Sequence, residues 1–554
     1  MVIARTAKSV TLTPQAAEAI GLKTAVAAPA EIMSAILKAP VDLLWFGGIG
    51  TYVRGSAETD AEAGDRANDA IRIAGAEIRA KVVGEGANLG MTQRGRVEYC
   101  LAGGRDNSDA IDNSAGVNSS DLEVNIKIGL APALRAGTLT RPARDRLLAA
   151  MTDEVAALVL ENNYEQTRAL SLARRRGLAD IAHQERLMLA LESRGLLDRA
   201  VEALPGSAAM AERQARGEPL TRPELGVLLA YAKLTLFDDI VATKLTDDPH
   251  FEAELFAYFP AKMAKKYREE IRGHRLRREI VATRLGNDAL NRGGPSFIAR
   301  MQDLTGRTAA EAVAAYAVVR DGFELPALYA EIDALDNRID GDTQLELYQS
   351  VGRLIHTVTA WLLRNDDGAA PAAERIAALH RARRALDGKL GAMLPPFVAG
   401  RVEARSLELA RAGAPEALAG RIAMLWAEES IPDMMRIAAD TGVGVVAAAR
   451  AFLAVTRAFR IGRINEAAGA LSPADYYDGL ALSRALETIG AARRGMAAAA
   501  LAGHGGAKEP VEAWLEAGGA RVARTRERLQ ALTEGGDLTV SRLTVAAGLM
   551  SDLG

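Results

Sequence analysis

Two asparagines, Asn88 and Asn113, stand at the ends of short apolar runs in the stretches GEGANLG (84–90) and NSDAIDNSAG (107–116). A carboxamide both donates and accepts hydrogen bonds. Two such groups at neighbouring strand tips suit a ligand that carries hydroxyls and a carboxamide of its own. Taken singly, each is an ordinary asparagine turn; their joint occurrence after strand-like runs brings a ligand into view. Glycines accompany them. Gly47 and Gly48 follow VDLLWF (41–46), and Gly84 and Gly86 follow AKVV (80–83). A residue without Cβ lets a ligand approach the backbone, although a purely structural turn uses the same residue. Gly84, Gly86 and Gly90 come near the dinucleotide fingerprint, but Leu89 stands where its third glycine belongs, so the pattern is not met. Ser119, Ser120 and Asp121 are expected to open an amphipathic helix, DLEVNIKIGL (121–130). A hydroxyl-bearing helix N-terminus can hold an anion, and a simple N-cap is the alternative.

Other chemistries find no support. There is no G-x-x-x-x-G-K-[ST] phosphate loop and no nucleophile elbow. The six histidines (183, 250, 274, 356, 380, 504) are dispersed and pair with no cysteine at metal-ligand spacing, so no metal site is expected. The basic run AKKYREEIRGHRLRRE (264–279) interleaves acids at helical spacing, which fits a solvated face or an internal contact better than nucleic acid.

Three elements must position the glycine and asparagine tips. VDLLWF and AKVV are strand-like runs, and NSDAID (107–112) is expected to be a third strand. Helices are expected at DAEAGDRANDAIRIAG (60–75) and MTQRGRVEYCLAG (91–103). Strands alternating with helices point to a parallel, doubly wound, Rossmann-like sheet, whose ligands bind beyond the carboxyl ends of the strands. From about residue 131 the texture becomes helical. Leu147, Leu148, Met151, Val155, Leu158 and Val159 recur at spacings of three and four, and Thr221 with Glu224 forms an N-cap signal. No fixed period runs through this part. The fold class expected is therefore α/β followed by mostly α: part of a Rossmann-like domain over 1–130, then a large non-repetitive helical region over 131–554.

Composition sets the bounds. The chain has 554 residues, about half of them apolar, and a formal charge of −3 with near-equal acids and bases. That balance argues against a general nucleic-acid binder. One cysteine, Cys100, leaves no disulfide framework within the chain and suits a reducing cytoplasm. The N-terminus lacks the apolar core of a signal peptide, and no membrane span is expected. The longest apolar stretch, GVGVVAAARAFLAV (442–455), is interrupted by Arg450 and reads as a buried helix.

KAPVDLLWFGGIGTYV, KVVGEGANLGMTQRGRVEY and NSDAIDNSAGVNSSDLEVNIKI closely resemble the large NAD-specific glutamate dehydrogenases of bacteria. TRPELGVLLAYAKLTLFDDI, HRLRREIVATRLGNDALNRGGPSF and EIDALDNRI resemble the C-terminal helical region of that family, in the same order. The resemblance implies an enzyme of amino-acid catabolism that oxidatively deaminates L-glutamate to 2-oxoglutarate and ammonia, with NAD taking the hydride. The size of the helical region suggests oligomer contacts or regulation, so a homo-oligomer is expected. The resemblance also implies roles for residues. Gly47 and Gly48 match the small pair that lets the dinucleotide lie against the backbone, and Gly86 and Asn88 belong to the GEGAN loop beside the nicotinamide ribose. Asn113 matches an asparagine at the nicotinamide end. Ser120 matches a serine that meets the side-chain carboxylate of glutamate in the smaller glutamate dehydrogenases; here Ser119 is adjacent and Asp121 replaces an aromatic residue.

The catalytic lysine, the proton-shuttling acid and the G-x-G-x-x-G pyrophosphate turn of the family match no part of this sequence. The chain resembles the C-terminal portion of the family, so the upstream part of the same enzyme is an expected partner and no activity is expected of the chain alone. A non-catalytic helical interaction module with a vestigial half cofactor domain is the rival expectation.

Overall fold

The computed structural model describes residues 3–473, 475–534 and 538–553. The chain is mostly helical and divides into two compact units, Met1–Ala299 and Arg300–Gly554.

All the strands in the described residues lie in the first unit, in three two-stranded pairs. β1 (Val10–Thr11) and β2 (Val26–Ala27) run antiparallel. β3 (Leu43–Phe46) pairs in parallel with β6 (Val82–Glu85), Leu43 opposite Val82 and Phe46 opposite Glu85. β4 (Val53–Arg54) pairs in parallel with β5 (Ile73–Ala74). Single bridges, Val53 to Met91 and Val82 to Arg105, tie these pieces together. Phe46, Val53, Ile73, Val83, Met91 and Tyr99 form the core beneath them. The parallel β3–β6 pair agrees with the expected strand type, but a continuous doubly wound sheet is not what the residues form.

Three local expectations are corrected. NSDAID is not a strand: Asp109–Asp112 is a helical turn. The third chain beside β6 is laid down earlier, where Val83 N donates to the Arg105 carbonyl at 2.9 Å. Residues 60–75 are not one helix. Asp60–Ala63 stops after a turn at Gly64, whose φ is +74°, a conformation glycine reaches without strain. Asp65 then accepts from Thr51 N at 2.8 Å, and the chain runs on into β5 with Ile71 and Ile73 both buried, a spacing of two rather than of a helix. Ser119–Asp121 open no helix, because the helix already starts at Ser114 and continues to Arg135.

Within the first unit, helices beyond residue 130 fold onto the strand-bearing part. The 141–176 pattern breaks at buried Met151, giving helices Arg141–Ala150 and Thr152–Arg176. From the second of these, Asn163 Nδ2 donates to the Ile111 carbonyl at 2.7 Å and to Ser114 Oγ at 2.9 Å. Helix Arg222–Val241 begins at the expected cap, where Glu224 Oε2 accepts from both the N–H and the hydroxyl of Thr221 at 2.7 Å. The next residue of that turn, Arg222, donates to Asn107 Oδ1 and Ser171 Oγ, each at 2.8 Å, stapling two segments together. The compositional change near 130 thus falls inside a compact unit.

The second unit is helical throughout its described residues. Helix Ala309–Gly322 is buried on nearly every side, which explains its run of alanine and valine. Helix Val445–Ala458 buries Ala448, Ala449, Phe452 and Val455 and turns Arg450 outward, as its sequence suggested. No single helix among the described residues is long and apolar enough to cross a membrane.

Candidate active site at the carboxyl ends of β3 and β6

Because β3 and β6 are parallel, Gly47 and Gly48 at one strand exit lie beside the GEGAN loop at the other. A Cβ added at Gly48 would meet nothing within 4 Å, so open space adjoins this turn. Asn113 arrives by a different route. It is the junction between the turn Asp109–Asp112 and the helix Ser114–Arg135, and its Nδ2 donates to Asn88 Oδ1 at 2.9 Å. The two carboxamides therefore form one unit. Asn88 keeps its NH2 as a donor, and Asn113 keeps its Oδ1 as an acceptor.

The loop that presents Asn88 is held from beneath by a buried polar cluster that sequence reasoning missed. Glu85, fully buried at the end of β6, receives Arg96 Nε at 2.5 Å and Arg96 Nη2 at 2.9 Å, and also accepts from Met91 N at 3.2 Å. Burial pushes the Glu85 carboxyl above its usual range, and Arg96 pulls it back. Arg96 also meets Asp109 at 3.1 Å. Asp109 Oδ2 in turn accepts from Leu89 N at 2.8 Å, holding Leu89 at a φ of +57°, a strained conformation for a bulky residue. Asp112 Oδ2 accepts from Glu85 N at 3.0 Å. Both oxygens of Asp106 are buried without a hydrogen-bond partner, and burial pushes this acid well above the ordinary carboxylate range. The signal available was a glutamate ending an apolar strand between two glycines, followed by an arginine on the next helix, since a buried acid needs a cation.

Gly86 has a partner within the chain. A Cβ there would lie 2.3 Å from Trp45 Cζ2, and one at Gly84 would lie 2.7 Å from Trp45 Cε3, so the indole rests against this bare backbone. Ser120 is exposed in the body of its helix, two turns after Asn113 and on the same face, roughly 10 Å along the axis at the α-helical rise. Ser119 Oγ bonds back to the Ala115 carbonyl at 2.7 Å, leaving Ser120 the freer hydroxyl.

Residues 1–173 match the model of the bacterial NAD-glutamate dehydrogenase catalytic domain, and residues 217–552 match that of the glutamate dehydrogenase C-terminal region. The chain belongs to the bacterial NAD-specific glutamate dehydrogenase family. It is similar to the NAD-specific glutamate dehydrogenase of Pseudomonas aeruginosa, 44% identical over 451 residues, covering 81% of this chain and 28% of the relative. The Mycobacterium tuberculosis enzyme of the same name is 35% identical over 556 residues, covering 99% of this chain and 34% of that one. The chain thus spans about a third or less of the length of these glutamate dehydrogenases.

Proposed function

We propose that this chain supplies the nicotinamide side of the cleft in an NAD-dependent oxidative deamination of L-glutamate to 2-oxoglutarate and ammonia. The observation that carries this reading is the Asn88–Asn113 pair beside the open Gly47–Gly48 turn. One donor and one acceptor at fixed separation complement a carboxamide or a ribose hydroxyl, and the space beside Gly48 leaves room for the dinucleotide. NAD accepts the hydride when bound; the residues here orient it. Ser120, two turns along the same helix face, is assigned to the glutamate side chain. Gly86 acts through Trp45, which packs on it.

The sheet itself supports a partner that completes it. Among the described residues β3 pairs on one edge only, and Leu43 and Trp45 on its outward face are 56% and 59% exposed. Parallel sheets are normally covered on both faces and extended at such edges. We assign the missing strands, the pyrophosphate turn and the catalytic lysine to the upstream part of the enzyme, which the longer relatives have room to encode, and the assembled enzyme to a homo-oligomer.

Glutamate-dependent reduction of NAD tests this division directly. The purified chain alone is expected to show none, and adding the upstream part of the enzyme in trans is expected to restore it. Robust turnover by this chain alone would place the catalytic groups within it and overturn the assignment. In the completed enzyme, Asn88→Ala and Asn113→Ala should each raise the KM for NAD several-fold, the loss of about 0.5–1.5 kcal/mol in hydrogen bonding. Because the two amides hold each other, the double substitution should cost less than the sum. Ser120→Ala should raise the KM for glutamate and leave that for NAD nearly unchanged; equal effects on both would remove Ser120 from the glutamate subsite.

A further inference from the structure

The second unit contains a cavity of ≈ 350 Å³ that has no part in the proposed chemistry. Helices Gly341–Asn365, Ile431–Thr441, Val445–Ala458 and Tyr476–His504 contribute its walls. Trp361, Trp426 and Phe452 give it an aromatic lining, and Arg493 and Arg494 reach it from adjacent positions on one helix. Small-molecule sites have this make-up: mostly apolar walls and a few convergent polar groups.

The charges in the cavity do not balance locally. Asp433, 6% exposed, faces both arginines. Arg494 Nη1 donates to its Oδ1 at 2.6 Å, and Trp361 Nε1 donates to the same oxygen at 2.7 Å. Arg494 also donates to Asn365 Oδ1 at 2.8 Å, so its needs are met. Arg493 is left with the remainder: its Nη2 lies 3.6 Å from Asp433 Oδ2, beyond a good hydrogen bond. Its Nε is buried and bonds to nothing. Its guanidinium lies 3.9 Å from the centre of the Phe452 ring. Burial pulls Arg493 down to about 10, with Asp433 opposing the fall and Arg494 adding to it. The other charged groups on the wall have partners: Arg364 meets Glu487 at 3.6 Å, and Glu429 meets Arg353 at 3.1 Å. Two guanidinium groups thus share one carboxylate in a largely apolar enclosure.

We propose that this cavity is a binding site for a small organic carboxylate. The carboxylate binds beside the Arg493–Arg494 pair, which shares the one Asp433 carboxylate and keeps 12% and 19% of its two side chains accessible, and a planar guanidinium can bond it through N–H groups. The body of the ligand lies against Trp361, Trp426 and Phe452. The anion supplies the missing negative charge, and the apolar walls strengthen the attraction relative to open water.

Two of the four tryptophans line the cavity, so intrinsic fluorescence of the full 554-residue chain reports on it. Titration with succinate and with benzoate, at constant ionic strength, is expected to give a saturable change and a matching rise in Tm. Arg493→Met should weaken this binding by about tenfold or more, the usual scale for a charge-assisted bond. Arg493→Lys, which keeps the charge and loses the fork, should fall between; it carries the test should Arg493→Met not fold. Arg411→Ala, an exposed change at the end of another helix, should bind as the parent does. No saturable response to either carboxylate, or an unchanged affinity in both Arg493 variants, would overturn the proposal. A response to inorganic phosphate without one to the carboxylates would overturn the ligand class.

Discussion

Arg96→Met is expected to cost about 3–5 kcal/mol, the usual scale for breaking a buried ion pair by removing one partner. The loss should appear first as rapid amide exchange across residues 82–92. Arg96 is 4% exposed and its guanidinium grips both oxygens of a fully buried carboxylate. Removing it strands the Glu85 charge in the core, where it must be carried uncompensated or protonated. A compensating change separates this account from a simple loss of packing. Glu85→Gln removes the charge, while its amide oxygen can still accept from Met91 N. Arg96→Met with Glu85→Gln should therefore be more stable than Arg96→Met alone. If the double variant is the less stable of the two, the pair is not the support of the loop. The consequence for function follows from the same contacts. Arg96 holds Asp109, Asp109 holds Leu89, and Leu89 is the neighbour of Asn88. Asn88 should lose its fixed position before the rest of the unit unfolds.

That cluster also marks where the sequence stops being legible. Asn88 is legible because Val82 and Val83 mark a strand and the glycines of GEGAN mark the exit that follows, although β6 runs on through Gly84 to Glu85 before it ends. Asn113 is not the tip of the third strand that NSDAID suggests. It reaches the same place because Arg105 already occupies the position beside β6 and the chain then turns back through Asp109–Asp112. Acids at both ends of that turn make backbone contacts that no periodicity records. A glycine's neighbour can also come from the paired strand, which no local pattern records, and at Gly86 it is Trp45. Residues 60–75 failed for a related reason. Their apolar spacing fits a helix until Gly64 and Asp65 are read as a stop, and Arg72 then fixes the turn by donating to the Thr51 carbonyl at 2.9 Å. The change of texture near 130 is real in composition, yet single polar residues such as Asn163 and Arg222 bind the later helices to the segment 107–114.

Lys233→Met is expected to stabilise the first unit by a few kcal/mol at neutral pH, and the gain should shrink as pH rises. Lys233 lies on helix Arg222–Val241 between buried Ala232 and buried Leu236. Burial lowers its ammonium from the ordinary 10.5 to about 7, and Glu165 is the carboxylate that pulls the other way. Glu165 is already committed, accepting from Arg292 Nη2 at 2.7 Å and Asn291 Nδ2 at 3.4 Å. The sign follows from proton binding. Between about 7 and 10.5 the unfolded chain holds a proton that the folded chain has released, so stability rises with pH across this window. As pH falls from 10.5 the cost grows, and below about 7 it is expressed in full. Each tenfold weakening of proton binding corresponds to about 1.4 kcal/mol, which sets a ceiling of about 4–5 kcal/mol, and relaxation of the surroundings brings the measured value below it. Urea unfolding of the parent and of Lys233→Met at pH 6 and pH 9 supplies the comparison, the gain at pH 9 being about half that at pH 6. Lys233→Arg sharpens it, since a guanidinium cannot shed its charge and should destabilise at both values. A loss of stability in Lys233→Met, equal at the two pH values, would mean that the ammonium is paired in the fold and stays charged there.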